Sequence, residues 1–272
     1  MKYVVTGGAG FIGSHITKKL VEREDIVTVI DNMNTGKEKN LEAVIDKINF
    51  VKGDVLDTEL LEGITKGVDG VFHQAALASV PDSFDEPDEY HNVNVNGTKN
   101  ILEYAKQQKI KRLLFISSGA VYGKQTRNIN YIPEEYLGAP DPLNPLNAYG
   151  CAKRQAENLC ALYYHHYGVN YSVARCFTFV GQYLPLDAHF AIGNFIRDGL
   201  NGGSIVVTGN GTTVRSYLYA DDLAKSLWTI LLKGNTGEAY NVGSDEAISI
   251  SDLAHLVSSC FDDKPEVIIK GK

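Results

Sequence analysis

The chain begins with an apolar run, Lys2–Thr6, that leads directly into a glycine-rich turn. Gly7, Gly10 and Gly13 follow with the spacing that lets a strand turn sharply into a helix. The first glycine permits the tight turn, the second lets backbone amides approach a ligand, and the third lets helix and strand pack closely. This segment therefore predicts the first strand–helix unit of a doubly wound α/β fold.

The first half of the chain repeats this alternation of strand and helix patterns. Several strand candidates are Val-, Ile- or Phe-rich runs without polar alternation, as expected of strands buried on both faces. They are Lys2–Thr6, Ile26–Ile30, Ile48–Val51, Gly70–His73, Arg112–Ile116 and Tyr171–Arg175. Helical patterns lie between them, over Phe11–Glu22, Thr58–Lys66, Glu89–Gln108 and Tyr149–Tyr167. We predict an α/β fold with a Rossmann-type doubly wound parallel sheet and right-handed crossovers.

The alternation breaks after Arg175. Helical patterns over Gly193–Leu200, Asp221–Leu232 and Ile248–Cys260 stand among short strand-like pieces such as Ser204–Thr208. We expect a Rossmann domain made of residues 1–176 and 218–243. The remaining segments, 177–217 and 244–272, should form a smaller, mixed C-terminal lobe that binds substrate at the carboxyl edge of the sheet.

Charge and composition exclude several classes of protein. A net charge of -7 offers no basic face for nucleic acid, and no apolar run is long enough to suggest a membrane span. The four cysteines show neither metal-ligand spacing nor a disulfide framework. We therefore predict no metal site and a cytoplasmic protein with reduced thiols. These cysteines are Cys151, Cys160, Cys176 and Cys260.

An acid ends the second strand candidate, as a dinucleotide site requires. Asp31 would accept hydrogen bonds from the adenosine ribose hydroxyls, and its charge would repel a 2′-phosphate. The next basic residue is Lys37, so NAD is favoured over NADP as the cofactor. The helix that begins at Phe11 and Ile12 would direct its positive N-terminal dipole at the pyrophosphate.

Three neighbouring positions complete the predicted cofactor site. Asn32 follows Asp31 directly, and Asp54 with Val55 follows the third strand candidate. We expect these residues near the adenine end of the dinucleotide. Asp54 has an alternative interpretation, because it could simply cap the helix that follows.

Tyr149 and Lys153 stand four residues apart at the start of a helical pattern, so they share one helix face. A tyrosine pKa near ~10 is too high for a base at neutral pH. A nearby ammonium and a positive nicotinamide ring would both lower that pKa. Alternatively, the pair is ordinary amphipathic patterning, with an exposed lysine and a packing tyrosine.

Ser118 strengthens the catalytic interpretation. It lies where a strand candidate ends, at the sheet edge at which substrate is expected, and its hydroxyl can relay a proton to Tyr149. A serine-rich turn without chemistry is the alternative for this segment alone. The glycine turn, Ser118, Tyr149 and Lys153 together predict a nicotinamide-dependent enzyme acting on an alcohol or ketone.

These segments together resemble the extended short-chain dehydrogenase/reductases, in the NAD-dependent epimerase/dehydratase group that modifies nucleotide sugars. The resemblance implies that Ser118, Tyr149 and Lys153 are the catalytic triad. It also implies that the backbone at Ala75 and Ala76 passes along the cofactor. The matching segments are TGGAGFIG from Thr6, HQAA from His73, SSGAVYG from Ser117, YGCAK from Tyr149, RSYLYADD from Arg215 and YNVG from Tyr240.

The same resemblance implies the substrate contacts. Arg215 would meet the nucleotide-sugar pyrophosphate, which a bidentate guanidinium suits. Thr178 stands where many members of the group place a substrate-contacting Asn, so it keeps a hydroxyl but lacks the amide. Members of the group usually continue for several dozen residues beyond the position of Lys272. We therefore expect apolar groups around Val267–Ile269 to be exposed if a segment is missing.

Positions 119 and 120 narrow the predicted reaction. Dehydratases of the group carry an Asp-Glu pair there, whereas Gly119 and Ala120 cannot transfer a proton. The sequence therefore favours a nucleotide-sugar epimerase acting at C4. The alternatives are a nucleotide-sugar 4-ketoreductase, a UDP-uronate decarboxylase and a non-catalytic nucleotide-binding protein.

We also expect a homodimer, paired through the helices predicted at Glu89–Gln108 and Tyr149–Tyr167. Both patterns carry more apolar residues than one sheet-covering face requires. The family resemblance implies the same pairing of helices between subunits. The residues concerned are Ile101, Leu102, Ala105, Leu159, Leu162 and Tyr163.

Overall fold

The computed structural model describes residues 1–64, 67–126, 129–188 and 190–271. The strands are β1 (Lys2–Thr6), β2 (Ile26–Asp31), β3 (Asn49–Lys52), β4 (Gly70–His73), β5 (Arg112–Ser118), β6 (Tyr171–Cys176), β7 (Phe179–Val180), β8 (Ile205–Val207), β9 (Val214–Ser216), β10 (Leu218–Tyr219), β11 (Ala239–Val242), β12 (Ala247–Ser249) and β13 (Val267–Ile269). The α-helices are α1 (Phe11–Glu22), α2 (Thr58–Ile64), α3 (Val80–Asp85), α4 (Pro87–His91), α5 (Thr98–Gln107), α6 (Ala148–Tyr167), α7 (Ala191–Leu200), α8 (Ala220–Lys233) and α9 (Ile250–Ser259).

The chain forms two compact units, and it passes between them three times. The first unit comprises Met1–Phe177 and Asp221–Val242, and the second comprises Thr178–Ala220 and Gly243–Lys272. The sequence places the return to the first unit at residue 218. The structure places it later, because β10 pairs with β7 inside the second unit.

A seven-stranded parallel sheet organises the first unit. Its order is β11-β6-β5-β4-β1-β2-β3, and helices cover both faces. The predicted fold class is therefore confirmed. The strand order reverses direction between β1 and β4, and such a switch point opens a crevice at the carboxyl ends of the strands.

Continuous apolar strands explain why this sheet is buried. Val4, Val71, Leu113 and Val173 lie on four adjacent strands, and each side chain is almost completely buried. The matching helices contribute apolar stripes, among them Ile101 of α5. Fully burying side chains of this size stabilises a fold by roughly 1.5–3 kcal/mol each.

The helix predicted at Glu89–Gln108 is not continuous. It begins earlier, as α4 at Pro87, and it widens into a π-helical turn over Asn92–Gly97 before α5. Such turns insert an extra residue into the helical hydrogen-bond ladder and often mark functional sites. The other predicted helices agree to within a few residues. The last two residues of the one predicted at Thr58–Lys66 lie outside the described residues.

The second unit is built from two helices and three two-stranded ladders. α7 packs against α9, and the ladders are β7–β10, β9–β12 and β8–β13. Ile205 and Val207 of β8 are buried, whereas Ile268 and Ile269 of β13 are 39% and 43% exposed. The expected apolar exposure near the C-terminus is therefore present at these two isoleucines.

No helix within the described ranges is both long and apolar enough to cross a bilayer. Within the same residues, no group of histidine, cysteine and acidic side chains could hold a metal ion.

Candidate active site

The glycine turn closes tightly on its neighbours at the carboxyl end of β1. Gly7 has a left-handed backbone (φ +69°), and its amide donates to the carbonyl of Ile30 at 2.8 Å. A Cβ atom on Gly7 would lie 2.9 Å from the backbone nitrogen of Ala75, and one on Gly13 would collide with the carbonyl of Gly7. Side chains at these positions would therefore break the cradle that the turn forms at the N-terminus of α1.

Asp31 lies at the end of β2 and is only 7% exposed. Its Oδ2 accepts the amide of Ala9 at 2.9 Å, and its Oδ1 accepts the amide of Met33 at 2.9 Å. These two bonds from backbone amides fix the orientation of the carboxyl group. Asp31 thus shapes the glycine turn from the neighbouring strand, a role that its sequence position alone does not reveal.

The side chain of Asp54 forms a hydrogen bond with the segment that follows β2. The side-chain amide of Asn32 donates to its Oδ2 at 2.8 Å, and the amide of Leu56 donates to its Oδ1 at 2.9 Å. The residue that caps α2 is Asp57, which accepts the amide of Leu60 at 3.0 Å. The structure therefore does not support the alternative that Asp54 caps this helix. Asn32 and Asp54 lie together near the carboxyl ends of β2 and β3, and Val55 beside them is buried.

His73 forms the centre of a buried hydrogen-bond chain below this edge. Its Nδ1 lies 2.9 Å from the hydroxyl of Thr6, and its Nε2 lies 3.0 Å from the hydroxyl of Thr98. The Thr98 hydroxyl donates to the carbonyl of Asn94 at 2.7 Å, so it must act as the acceptor in its hydrogen bond with Nε2, and Nε2 carries the ring proton. Burial lowers the pKa of His73 to about 3, which keeps the ring neutral in this tautomer.

The same chain holds the backbone that follows β4. The Thr6 hydroxyl accepts the amide of Ala75 at 3.1 Å. The side chain of Asn94, on the π-helical turn, pairs with the amide and carbonyl of Leu77 at 2.9 and 3.0 Å. Ala76 lies between these two anchors and is half-buried. The segment predicted to pass along a cofactor is therefore fixed at both ends.

Ser118 and Tyr149 meet at the carboxyl edge of the sheet. Ser118 ends β5, and Tyr149 lies in the first turn of α6 with 8% of its surface exposed. Ser118 lies close enough to Tyr149 to act on its phenol, because it is the side chain that opposes the rise in the pKa of that group. The Ser118 hydroxyl also accepts the amide of Ala120 at 3.2 Å, so the alternative of a serine turn without chemistry stays open.

Lys153 lies one helical turn after Tyr149 and is only 3% exposed. Its Nζ donates to the carbonyl of Ile116 at 2.9 Å and lies 5.0 Å from the centre of the Phe115 ring. The alternative of an exposed, solvated lysine is thus wrong. Burial lowers the pKa of Lys153 to about 8, and its charge also helps to keep His73 neutral.

The pKa of Tyr149 departs from the sequence expectation. Burial raises it to about 12, and Ser118 only partly opposes this effect. The protein's own side chains therefore do not produce the lowered pKa that Lys153 was expected to cause. Removing the phenol from water outweighs the local favourable contacts.

The two predicted substrate contacts lie in the second unit. The carbonyl of Thr178 accepts the amide of Leu218 at 3.0 Å. Arg215 lies on β9 with an exposed side chain, and its Nη1 donates to the carbonyl of Val214 at 2.9 Å. The substrate-binding roles of Thr178 and Arg215 stay predictions.

The sequence did not indicate which residues hold His73 and the backbone that follows β4. Thr6, Asn94 and Thr98 act through His73 and the backbone after β4. The signal available was the polar segment Asn92–Thr98, which interrupts an otherwise amphipathic helical pattern. Its small and amide side chains suit a turn that bonds to other elements rather than to itself.

The first unit thus has the architecture of a dinucleotide-dependent enzyme of the Rossmann class. A glycine turn and a buried acid meet at the switch point, and a serine, a tyrosine and a lysine lie at the carboxyl edge of the same sheet.

Comparison with known proteins identifies the family. The sequence model described as "NAD dependent epimerase/dehydratase family" matches residues 3–243. The chain belongs to that family, and it is therefore an enzyme of the NAD-dependent epimerase/dehydratase type.

Individual relatives differ in the activity for which they are named. A protein named as a candidate UDP-glucose 4-epimerase in Methanocaldococcus jannaschii is 36% identical over 257 residues, covering 93% of this chain and 80% of that protein. UDP-glucuronic acid decarboxylase 1 of Danio rerio is 34% identical, covering 95% of this chain and 60% of that protein. A UDP-glucose 4-epimerase of Thermotoga maritima, solved with UDP-glucose, has a TM-score of 0.90 at 31% identity. The match covers all of this chain and 86% of that one.

The residues present fit the NAD that this family uses. Gly7, Gly10 and Gly13 leave a cradle that Cβ atoms would fill, and Asp31 offers a buried carboxylate at its side. Beside the cradle, the buried side-chain oxygen of Gln74 has no hydrogen-bond partner among the described residues. The turn at the N-terminus of α1 suits a pyrophosphate, and the acid suits ribose hydroxyls.

Proposed function

We propose that this protein is a nucleotide-sugar 4-epimerase that resembles the UDP-glucose 4-epimerases. The observation that supports this most strongly is that Ser118 acts on the buried phenol of Tyr149, one helical turn from the buried Lys153. This group provides one proton route, suited to the hydroxyl of a single sugar carbon. Positions 119 and 120, next to it, carry no group that can transfer a second proton.

In the proposed mechanism, Tyr149 removes the proton of the sugar C4 hydroxyl, through or beside Ser118. NAD, held by the glycine turn and Asp31, would supply a hydride acceptor and donor at C4, so that the resulting 4-keto sugar can be reduced from its opposite face. Tyr149 then gives its proton back to the C4 oxygen. The same residue acts as base and acid, so the chemistry needs no net proton donor.

Lys153 supports this proton transfer. Its bond to the carbonyl of Ile116 fixes the ammonium on the side of α6 that carries Tyr149. A bound nicotinamide ring would add a second positive charge, and together the two charges would counteract the burial that raises the pKa of the phenol. We further assign to Lys153 a hydrogen bond to the nicotinamide ribose.

The other assignments complete the proposal. Gly7, Gly10, Phe11, Ile12 and Gly13 hold the pyrophosphate, and Asp31 holds the adenosine ribose. Further along the dinucleotide, the contacts come from Asn32, Asp54, Val55, Ala75 and Ala76. On the second unit, Arg215 and Thr178 bind the substrate's nucleotide and sugar. The four thiols are all free, as a cytoplasmic protein requires.

The decarboxylase named among the relatives supports one alternative, oxidative decarboxylation of a UDP-uronate. It would use the same Ser118, Tyr149 and Lys153 for oxidation at C4. A 4-ketoreductase would use them in one direction only. A purely nucleotide-binding protein is disfavoured, because binding alone gains nothing from a buried Lys153 and a Ser118–Tyr149 pair.

The test is product analysis with three substrates. We expect the NAD-loaded protein to interconvert UDP-glucose and UDP-galactose, and to release no CO2 from UDP-glucuronate. Release of CO2 with formation of a UDP-pentose would assign the decarboxylase instead. Absence of turnover on all three sugars would contradict the proposed activity.

The homodimer remains a proposal. Fewer residues are available for the contact between subunits than the sequence suggests. Ordinary packing accounts for four of the six apolar residues, which are buried inside the first unit. These are Ile101, Leu102, Ala105 and Tyr163. Leu159 is half-buried. Leu162 is exposed on α6 three residues after Leu159, and we assign the contact between subunits to the helix face that these two residues share.

A further inference from the structure

The residues one step beyond β5 and β6 touch each other. Ser118 and Cys176 are register partners at the ends of these strands, and the next residues are Gly119 and Phe177. A Cβ atom on Gly119 would lie 2.9 Å from both Cδ1 and Cε1 of the Phe177 ring. Gly119 does not have a positive φ, so the position excludes side chains for lack of space and not because of its backbone conformation.

Phe177 contacts two further residues of the first unit, Tyr122 and Val242. It stacks on Tyr122 with 6.5 Å between ring centres and 20° between planes, and its amide donates to the carbonyl of Val242 at 3.0 Å. Tyr122 is itself fixed, because its hydroxyl donates to Asn241 at 2.8 Å and accepts from Arg175 at 2.9 Å. A side chain at position 119 would therefore have to displace the ring from its contact with Tyr122.

The support continues to the catalytic helix. Arg175 forms two hydrogen bonds with the carboxylate of Glu157 on α6, at 3.1 and 2.8 Å. Glu157 also accepts the hydroxyl of Ser117 at 2.6 Å, directly before Ser118. Through Tyr122, the ring of Phe177 adjoins the hydrogen-bond network that includes Ser117, the neighbour of Ser118 in the chain.

The space that the Phe177 ring fills, next to Gly119, affects which reaction the site can catalyse. The pair of Ser118 and Tyr149 provides one proton route. Eliminating water from a keto sugar needs a further base at a carbon and an acid at the leaving hydroxyl. Gly119 adjoins Ser118 in the chain, but an acidic side chain there would need the space of the Phe177 ring.

We propose that Phe177 is a specificity-determining residue. Its ring occupies the space of any side chain at position 119 and so restricts the site to redox chemistry without elimination. This inference rests on the proposed function, because it concerns what becomes of the 4-keto sugar. Phe177 is 37% exposed, so part of the ring remains free to face a substrate.

The steric part is tested by a double-mutant cycle in thermal unfolding. Gly119→Ala should lower the Tm of the parent by roughly 2–4 °C or more, because it overpacks the site, yet change little in a Phe177→Ala background. Gly63→Ala is the control, since nothing lies within 4 Å of the Cβ that it adds. An equal effect of Gly119→Ala in both backgrounds would overturn the proposed contact.

The specificity part is tested by product analysis. Gly119→Asp/Ala120→Glu is incubated with UDP-glucose, with and without Phe177→Ala. We expect a product lighter by one water at a rate at least about tenfold higher when Phe177 is replaced. Equal rates, or no such product in either variant, would overturn the role of Phe177. If the parent converts no nucleotide sugar at all, the proposed function fails, while the unfolding cycle still decides whether Phe177 excludes a side chain at position 119.

Discussion

The Nζ atom of Lys153 donates to the carbonyl oxygen of Ile116 at 2.9 Å. This bond attaches helix α6 to the strand that ends in Ser118, two residues further along β5. The ammonium is buried, and its hydrogen bond to β5 fixes its position. The spacing between Ser118, Tyr149 and Lys153 is therefore a property of the folded core.

Replacing Tyr149 by Phe should nearly abolish turnover and leave the fold intact. Only the hydroxyl is lost, while the buried ring remains to pack. Loss of a positioned acid–base group typically lowers the rate by roughly 10²–10⁴-fold. Steady-state kinetics with UDP-glucose measure the loss, and an NAD titration serves as the control, because its affinity should hardly change. A variant that keeps most of its activity would shift the role of base to another residue, with Ser118 the next to test.

NAD should bind at least about tenfold more tightly than NADP, equivalent to about 1.4 kcal/mol. The amides of Ala9 and Met33 fix the orientation of the Asp31 side chain, so a 2′-phosphate would meet an acidic group that cannot turn away. Paired titrations of protein stripped of nucleotide, followed by fluorescence or calorimetry, measure the ratio. Equal affinities would refute the assignment of Asp31 to the ribose.

Acidification should destabilise the protein through His73. The folded protein keeps this ring neutral down to a pKa of about 3, whereas an unfolded histidine takes up a proton near pH 6.5. Its stabilising contribution is therefore complete above pH 6.5 and is lost as the pH falls towards 3. Between about pH 7.5 and pH 5 the loss should be about 2 kcal/mol.

Denaturant unfolding of the parent and of His73→Gln at both pH values isolates this effect. Glutamine keeps a donor for Thr98 but cannot titrate. The variant should be less stable at neutral pH and should show the smaller pH dependence. The same slope in both proteins would mean that His73 does not carry the effect.

Leu162→Glu should dissociate the proposed dimer. Leu162 is 42% exposed on α6, and a dimer through this surface would bury the new charge at an unfavourable cost. Sedimentation at about micromolar concentration measures the mass. Leu137→Glu is the matched control, because Leu137 is 92% exposed and lies off the helix. A monomeric parent would end the proposal.

Strong local patterns account for what the sequence could predict. β1 and α1 have the predicted bounds, because an apolar strand and a helical period are separated by a glycine turn. Asp31 and Ser118 also lie at the predicted edge, since parallel strands end at one side of a sheet. In these cases the residues that decide the structure are neighbours in the chain.

What could not be predicted depends on distant partners. The π-helical turn Asn92–Gly97 reflects the bonds of Asn94 to the backbone after β4. β11 exists through pairing with β6, and its four residues alone carry little strand signal. The contact between Gly119 and Phe177 likewise joins the ends of two strands that are distant in the chain, so the local sequence at neither residue predicts it. The raised pKa of Tyr149 is also a consequence of burial.

The measurement that tests the central claim most directly follows a deuterium at C4 of UDP-glucose. The NAD-loaded protein is incubated with this substrate in ordinary water, and the UDP-galactose formed is analysed by mass spectrometry. A hydride that leaves C4 and returns within one turnover predicts that the label stays on C4, with neither CO2 nor water lost from the sugar. Loss of the deuterium to solvent, or failure to form UDP-galactose, would contradict the account.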